Sequence, residues 1–531
     1  MIEEAVAGLS AAVQVLPDVV WHGLTSATRQ QQAVRWAGLA ADAACCAVLA
    51  GKPELAVELL EQGRSMQWSQ ALNLRADLGD LAQAAPELAW RLTAARAVLN
   101  AQVPSPEPGQ PAVTVVGAGP SAAGPAGFRS PRPEDPRPRA ARDYDETLRR
   151  IRQLDGFDHY LKPTPYPRLA AATSGGAAVI VNVSRYGCHA IMITADSERA
   201  RVADLPGLDL SAAEGQARQI SRLLGRAPVA DRPFPDREAD RRELLDILSW
   251  LWEAVGAPVL DALADILPAG EAPPRIWWCP TGPMVSLPLH AAGHHPRFGS
   301  GRDGDSVLAR TVSSYIPTLT SLDRARRFAP TGPTRQLTVA TRGQSRPGLP
   351  ELPSVSAELA CLTRHFPPGP DNLQLIGPAA TCAAAVAGLT DHDLIHLACH
   401  AGPLASDDAT VSSGFALWDG DLTITDLAAQ PGRRGGLAFL SACQTAAGSD
   451  EHRDEALHLA AAMQFIGYSH VIATMWSIRD TSAPVAAETF YSALSEAGHD
   501  SADALRAAVL KLRGMDPTDP LTWAPYAHYG G

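Results

Sequence analysis

Asp393-Leu394-Ile395-His396-Leu397-Ala398-Cys399-His400 and Leu437-Ala438-Phe439-Leu440-Ser441-Ala442-Cys443 are the two stretches whose reading decides the fold. Each is a short, continuous apolar run, the pattern of a strand buried on both faces in a parallel sheet. Each stops on a residue with acid-base or nucleophilic chemistry. In open α/β sheets ligands collect beyond the carboxyl ends of the strands, so His400 and Cys443 emerge at one rim if the two strands are parallel neighbours. An imidazole beside a thiol holds it as thiolate, the form that attacks a carbonyl carbon. Without that neighbour, a Cys ending a buried strand is an ordinary packing residue.

Around these runs the last third of the chain alternates elements in the βαβ manner. Leu337 to Thr341 reads as a strand, Val355 to His365 as a helix, and Ala380 to Leu389 as a short helix before the His400 strand. Phe415-Ala416-Leu417-Trp418 and Leu422-Thr423-Ile424 flank Asp419-Gly420-Asp421, a hairpin signal. Glu455 to Gly467 is a helix that is apolar almost all round, and Val471 to Met475 is the next strand. Two further helical stripes follow, Ala487, Phe490, Tyr491, Leu494 and then Leu505, Val509, Leu512. This alternation predicts a mainly parallel sheet covered by helices on both faces.

Upstream, Val179 to Val183 and Ala190 to Thr194 read as a β-hairpin, and Arg241 to Leu267 as a helix with Leu244, Leu248, Leu251 and Trp252 on one face. Residues 275–322 read as a short strand mixed with loops. Residues 1–100 read as helical: Trp36, Leu39, Ala40 and Ala43 recur at helical spacing, Gly51-Lys52-Pro53 breaks the run, and Leu55, Leu59 and Leu60 resume it. This helix pair is similar to one tetratricopeptide-type repeat; a small bundle capping the next domain fits the pattern equally well.

Between these parts, ten Pro and five Gly fall within residues 104–138, a composition that predicts a disordered linker. Val113-Thr114-Val115-Val116-Gly117-Ala118-Gly119-Pro120-Ser121-Ala122 mimics a dinucleotide fingerprint, but Gly124-Pro125, then Pro131, Pro133, Pro136 and Pro138, forbid the helix that must hold the pyrophosphate. No cofactor is expected. Arg129, Arg132, Arg137, Arg139 and Arg142 read as a solvated tail.

Composition narrows the function classes. With 531 residues the chain exceeds one ordinary core. A net charge of −12 argues against a nucleic-acid backbone as primary partner. The eight cysteines are scattered with no repeated C-x-x-C, which argues against a disulfide framework and a zinc site and fits a reducing cytoplasm. No secretory signal is visible at Met1-Ile2-Glu3-Glu4, and no apolar run is read as a membrane span.

His396-Leu397-Ala398-Cys399-His400, Leu440-Ser441-Ala442-Cys443-Gln444-Thr445-Ala446 and Ile472-Ala473-Thr474-Met475-Trp476-Ser477-Ile478-Arg479-Asp480, in this order, resemble the CHAT family of caspase-like peptidases. Ile276 to Pro280, Leu287 to His290, and Leu352 to Glu358 are similar to further family segments. The resemblance covers roughly residues 240–531 and implies a caspase-like α/β fold, with His400 as general base and Cys443 as nucleophile. His396 and Cys399 fall inside the strand and read as structural. In caspase-like enzymes the oxyanion hole resembles a pair of backbone amides, one from the Cys and one from the Gly after the catalytic His. Here Ala401 holds that place and Gly402 follows, and Ala does not readily adopt positive φ. Asp480 looks like the acidic position that in the related separases faces a basic P1 side chain; capping a helix before Pro484 is its other reading.

The expected organisation is therefore a helical, tetratricopeptide-like region at 1–100, a disordered linker at 101–142, an α/β connecting region at 143–239, and the caspase-like domain at 240–531. The expected activity is that of a cytoplasmic cysteine endopeptidase acting on a protein or peptide. A regulatory protein partner is expected at the helical region, and the family suggests bacterial defence. No metal, nucleic acid or membrane is expected. Two rivals stand: a catalytically weak scaffold recruiting partners through the helical region, and a Cys-His amide transferase such as a glutaminase, for which no synthase or nucleotide motif is visible.

Overall fold

The structure is a computed structural model. It describes residues 2–21, 23–24, 26–64, 78–100, 136–158, 160–225, 234–267, 272–297, 304–327, 335–341, 349, 351–404, 412–428, 430, 436–442, 459–496 and 500–531. The chain forms two compact units: Met1–Pro17, Ala33–Trp68 and Pro163–Gly531 make one, Asp18–Gln32 and Ser69–Lys162 the other.

The smaller unit is helical. Helices Gly79–Ala84, Pro86–Asn100 and Arg137–Ile151 share a core that includes Leu81, Leu92, Tyr144 and Ile151. The last helix corrects the expected linker boundary, because it begins at Arg137 and not near Tyr144. Pro136 and Pro138 sit at and just after its N-cap, where a missing N–H costs nothing. Arg139 and Arg142 stand on its exposed face. The fingerprint-like run Val113–Ala122 lies outside the described residues.

The larger unit is built on one eleven-stranded, mainly parallel sheet. Its strands, with three that form a small second sheet, are β1 (Gly176–Ser184), β2 (Gly187–Ile193), β3 (Arg201–Asp204), β4 (Arg275–Pro280), β5 (Val312–Tyr315), β6 (Gln336–Ala340), β7 (Asn372–Ile376), β8 (Leu394–Ala398), β9 (His400–Leu404), β10 (Ser412–Ala416), β11 (Asp421–Thr423), β12 (Leu437–Ser441), β13 (His470–Thr474) and β14 (Tyr526–Gly530). The main sheet runs β3-β2-β1-β4-β5-β14-β13-β12-β8-β6-β7, and β11-β10-β9 form the small antiparallel sheet. The boundary expected at 239/240 is no break in the architecture, because β1 pairs in parallel with β4 across it.

Six of these strands form the half of the sheet that carries β8 and β12. β6 starts it, β7 lies on one side and β8 on the other, then β12, β13 and the antiparallel β14 follow. β8 and β12 are buried along their whole length, as their continuous apolar runs require. Helices Val355–His365 and Ala483–Leu494 pack together on this half. On the other half, helix Phe234–Leu251 continues through a π-helical turn, Trp252–Gly256, into Ala257–Ala264. That turn absorbs Pro258, which an unbroken α-helix would not tolerate in its interior. The segment Pro235–Ala264 is long and apolar enough to cross a membrane, yet Leu244, Leu248, Leu251, Val255 and Val259 are fully buried in the core of this unit.

The helical hairpin Leu39–Leu49 and Pro53–Gly63 lies against the sheet, sharing a core with Ala178, Ile180, Ile191 and Trp277. Arg64, just after it, is buried and donates to the Cys279 thiol at 3.2 Å and to the Pro280 carbonyl. Among the described residues the hairpin buries its inner face on strands and not on a like repeat, so it needs no stacked neighbour.

Buried imidazoles tie the sheet together. His290 bridges the Tyr315 hydroxyl (2.8 Å) and the Ala524 carbonyl (3.1 Å), so its Nε2 carries the proton and its Nδ1 accepts. His528 on β14 reaches Ser314 on β5 at 2.6 Å and Ser501 at 2.9 Å, beside the register pair Tyr529 and Tyr315. Burial pushes His290 and His470 down to about 4, and His528 is lowered too. The unfolded chain therefore takes up protons below pH about 6.5 that the folded chain refuses. Stability is full above that pH and falls as pH drops toward 4, by about 3 kcal/mol for each of His290 and His470. Melting temperature measured from pH 7.5 to 4 checks this; a flat profile contradicts it.

Candidate active site

β8 lies between β6 and β12 and is parallel to both. The chain turns from β6 to β7 on one side and to β8 on the other, which makes the β6–β8 boundary a topological switch point, where α/β sheets open a crevice beyond their carboxyl ends. Ala398, the last residue of β8, pairs with Ser441, the last of β12. His400 comes two residues after Ala398, and in the sequence Cys443 comes two residues after Ser441. The β12 end is held by its neighbour: the buried Thr474 hydroxyl donates to the Ala442 carbonyl at 2.7 Å. Cys443 itself lies outside the described residues, as does the Gln444-Thr445-Ala446 word that follows it.

His400 is half-buried and opens β9, where it pairs with Ala416 of β10. The expected strand does not run on through His400; the chain leaves the main sheet at Cys399 and enters the small one. Ala401 is half-buried and pairs with Phe415. The left-handed backbone falls on Gly402 (φ 151°), and among the described residues Leu161 is the only non-glycine with positive φ. Ala401 thus bears no strain from its side chain.

Asp480 opens the short 3-10 turn Asp480–Ser482 after β13 and is half-buried. Its Oδ2 accepts from the Ser354 backbone N–H at 2.9 Å, beside the start of helix Val355–His365. It does not cap the helix that carries Pro484, Ala483–Leu494, whose N-cap is Ser482. The preceding Arg479 turns away and pairs with the buried Asp519 at 2.8 Å.

Beneath His400, the strand is anchored by a group of polar side chains that composition did not reveal. His396, with no exposed surface, bonds Glu358 at 2.9 Å through Nε2 and the Tyr491 hydroxyl at 2.9 Å through Nδ1. Its ring stacks on Phe439 of β12, centroids 5.0 Å apart and 16° between planes. Both ring nitrogens have partners and one ring face lies on Phe439, so His396, fully buried, holds β8 in place. A signal was available: Val355, Glu358, Leu359 and Leu362 form one helical stripe, and a carboxylate within a buried stripe demands a partner.

The family described as "CHAT domain" matches residues 245–531, more than half of the chain. The chain belongs to the CHAT family. The sheet of this CHAT chain is also found in solved structures. The Saccharomyces cerevisiae separase–securin complex at 2.6 Å resolution aligns over 100% of this chain and 37% of that chain, with a TM-score of 0.52 and 10% identity. The Arg-specific cysteine proteinase gingipain R aligns over 60% of this chain and 74% of that chain, at TM-score 0.33 and 11% identity. At these identities the likenesses concern the fold alone, and the gingipain alignment is too loose to carry an argument. No curated protein matches the sequence.

Proposed function

We propose that this CHAT chain is a cysteine endopeptidase with a Cys443–His400 dyad. One observation supports it most: His400 follows β8 at the carboxyl rim beside the switch point, while the parallel neighbour β12 ends two residues short of Cys443. In this reading the Cys443 thiolate attacks the scissile carbonyl carbon, and the backbone amides of Ala401 and Cys443 donate to the oxyanion. His400 delivers its proton to the leaving amine as the C–N bond breaks, leaving a thioester on Cys443. Water then attacks the thioester, His400 takes its proton, and the acid product leaves as the thiolate re-forms.

Asp480 is assigned the recognition of a Lys or Arg side chain before the scissile bond. Its Oδ2 is committed to the Ser354 N–H, and the group remains half-exposed beyond β13. The helical region is assigned to a regulatory protein partner, and bacterial defence is the setting the family suggests. The second reading, a catalytically weak scaffold that recruits partners through the helical region, draws on Ala401 and on the single repeat.

Fluorogenic peptide libraries test the proposal. The intact chain cleaves after Lys or Arg, and Asp480→Asn lowers kcat/KM for those substrates by about 10–100-fold relative to peptides with a neutral P1. Asn keeps an oxygen for the Ser354 N–H, so the turn survives. A preference for Asp or an apolar P1, unchanged in Asp480→Asn, removes Asp480 from recognition.

A further inference from the structure

Cys361, His365 and Glu488 stand together at the contact between helices Val355–His365 and Ala483–Leu494, away from the rim that carries His400. Cys361 and His365 are four residues apart, hence on one face of their helix, and Glu488 comes from the facing helix. Their donor atoms, a thiol sulfur, an imidazole nitrogen and a carboxylate oxygen, all lie within 4.8 Å of one another. The carboxylate divides its oxygens: Oε2 takes the Arg364 guanidinium and Oε1 faces His365 Nε2 at 3.7 Å.

We propose that Cys361, His365 and Glu488 bind a zinc-class divalent cation that clamps the two helices. Sulfur, imidazole and carboxylate are together the donor set of zinc and not of calcium or magnesium. Tetrahedral zinc holds its ligand atoms about 3.3–3.8 Å apart, so closing the site takes roughly an ångström of side-chain movement. Two of the three ligands have that freedom: Cys361 is 1% exposed, but the side chains of His365 and Glu488 are 21% and 43% exposed. The same exposure leaves the fourth position open to water. Arg364 stays on the second oxygen and orients the carboxylate, as outer partners of metal ligands do.

The clamp bears on β8 indirectly: Tyr491, one turn from Glu488, is the residue that holds His396. No sequence spacing marks the trio, because its members lie on two helices and include only one cysteine.

The test uses the full chain carrying Cys443→Ala, so that the proposed dyad contributes no ligand and the result is independent of the peptidase reading. Freed of metal by chelation and titrated with Zn²⁺, this chain binds one ion, and Co²⁺ gives a thiolate charge-transfer band in the near ultraviolet. Glu488→Gln and His365→Ala, at partly exposed positions that spare the fold, each weaken Zn²⁺ binding by about 100-fold or more, since a direct ligand matters at least as much as an outer partner. Cys361→Ser removes the Co²⁺ band. The proposal is overturned if Glu488→Gln and His365→Ala bind Zn²⁺ as the parent does, or if the parent binds no more than a variant carrying Cys361→Ser, His365→Ala and Glu488→Gln together.

Discussion

His400→Ala lowers kcat/KM for a cleavable peptide by on the order of 10⁴–10⁶ while leaving the fold intact, and Cys443→Ala does the same. The size of the effect follows from the chemistry, since a thiol without its base is a poor nucleophile and an amine without an acid is a poor leaving group. The informative measurement is the double variant. Two residues acting as one unit lose their contribution together, so His400→Ala/Cys443→Ala falls no further than either single variant. His400 opens β9 and is half-buried, so its truncation leaves β8 and its pairing with β6 and β12 untouched. A double variant in which the two losses multiply shows two residues acting separately and contradicts the dyad.

The second large effect concerns stability. Glu358→Ala removes the carboxylate from His396 Nε2, leaving a buried imidazole short of a partner and a void beside it. Breaking a buried pair in this way costs about 3–5 kcal/mol, read as a lower denaturant midpoint. Glu358→Gln keeps an acceptor oxygen for the ring, and its cost falls to about 1–2 kcal/mol. A Glu358→Ala cost below 1 kcal/mol contradicts the account of how β8 is held. Because His396 lies on the strand that leads into His400, the Ala variant also loosens the rim, and peptide cleavage declines at temperatures where the chain is still folded.

What could be read from the sequence, and what could not, follows from where the burial information sits. β8, β12 and helix Val355–His365 carry their own signal, an unbroken apolar run or a stripe at helical spacing, and the structure returns them nearly to the residue. β5 and β14 carry none: Val312-Ser313-Ser314-Tyr315 and Tyr526-Ala527-His528-Tyr529-Gly530 mix small and polar residues. Their burial comes from a distant partner, as in the His528–Ser314 bond. Helix Arg137–Ile151 was masked by Pro136 and Pro138, which read as breakers but sit where helices accept proline. At the site, the His400 position and its rim were legible because strand ends are local. The bend at Cys399, the glycine backbone at Gly402 and the attachment of Asp480 to Ser354 were not, because each depends on the small sheet or the facing helix.

The most direct measurement is covalent capture. Incubating the full chain with a peptide carrying a basic P1 residue and a thiol-reactive electrophile, then mapping the adduct by mass spectrometry, reads both members of the dyad at once. The account predicts modification at Cys443, absent in Cys443→Ala and strongly slowed in His400→Ala. Modification at another cysteine, or labelling of Cys443 at the same rate without His400, contradicts it.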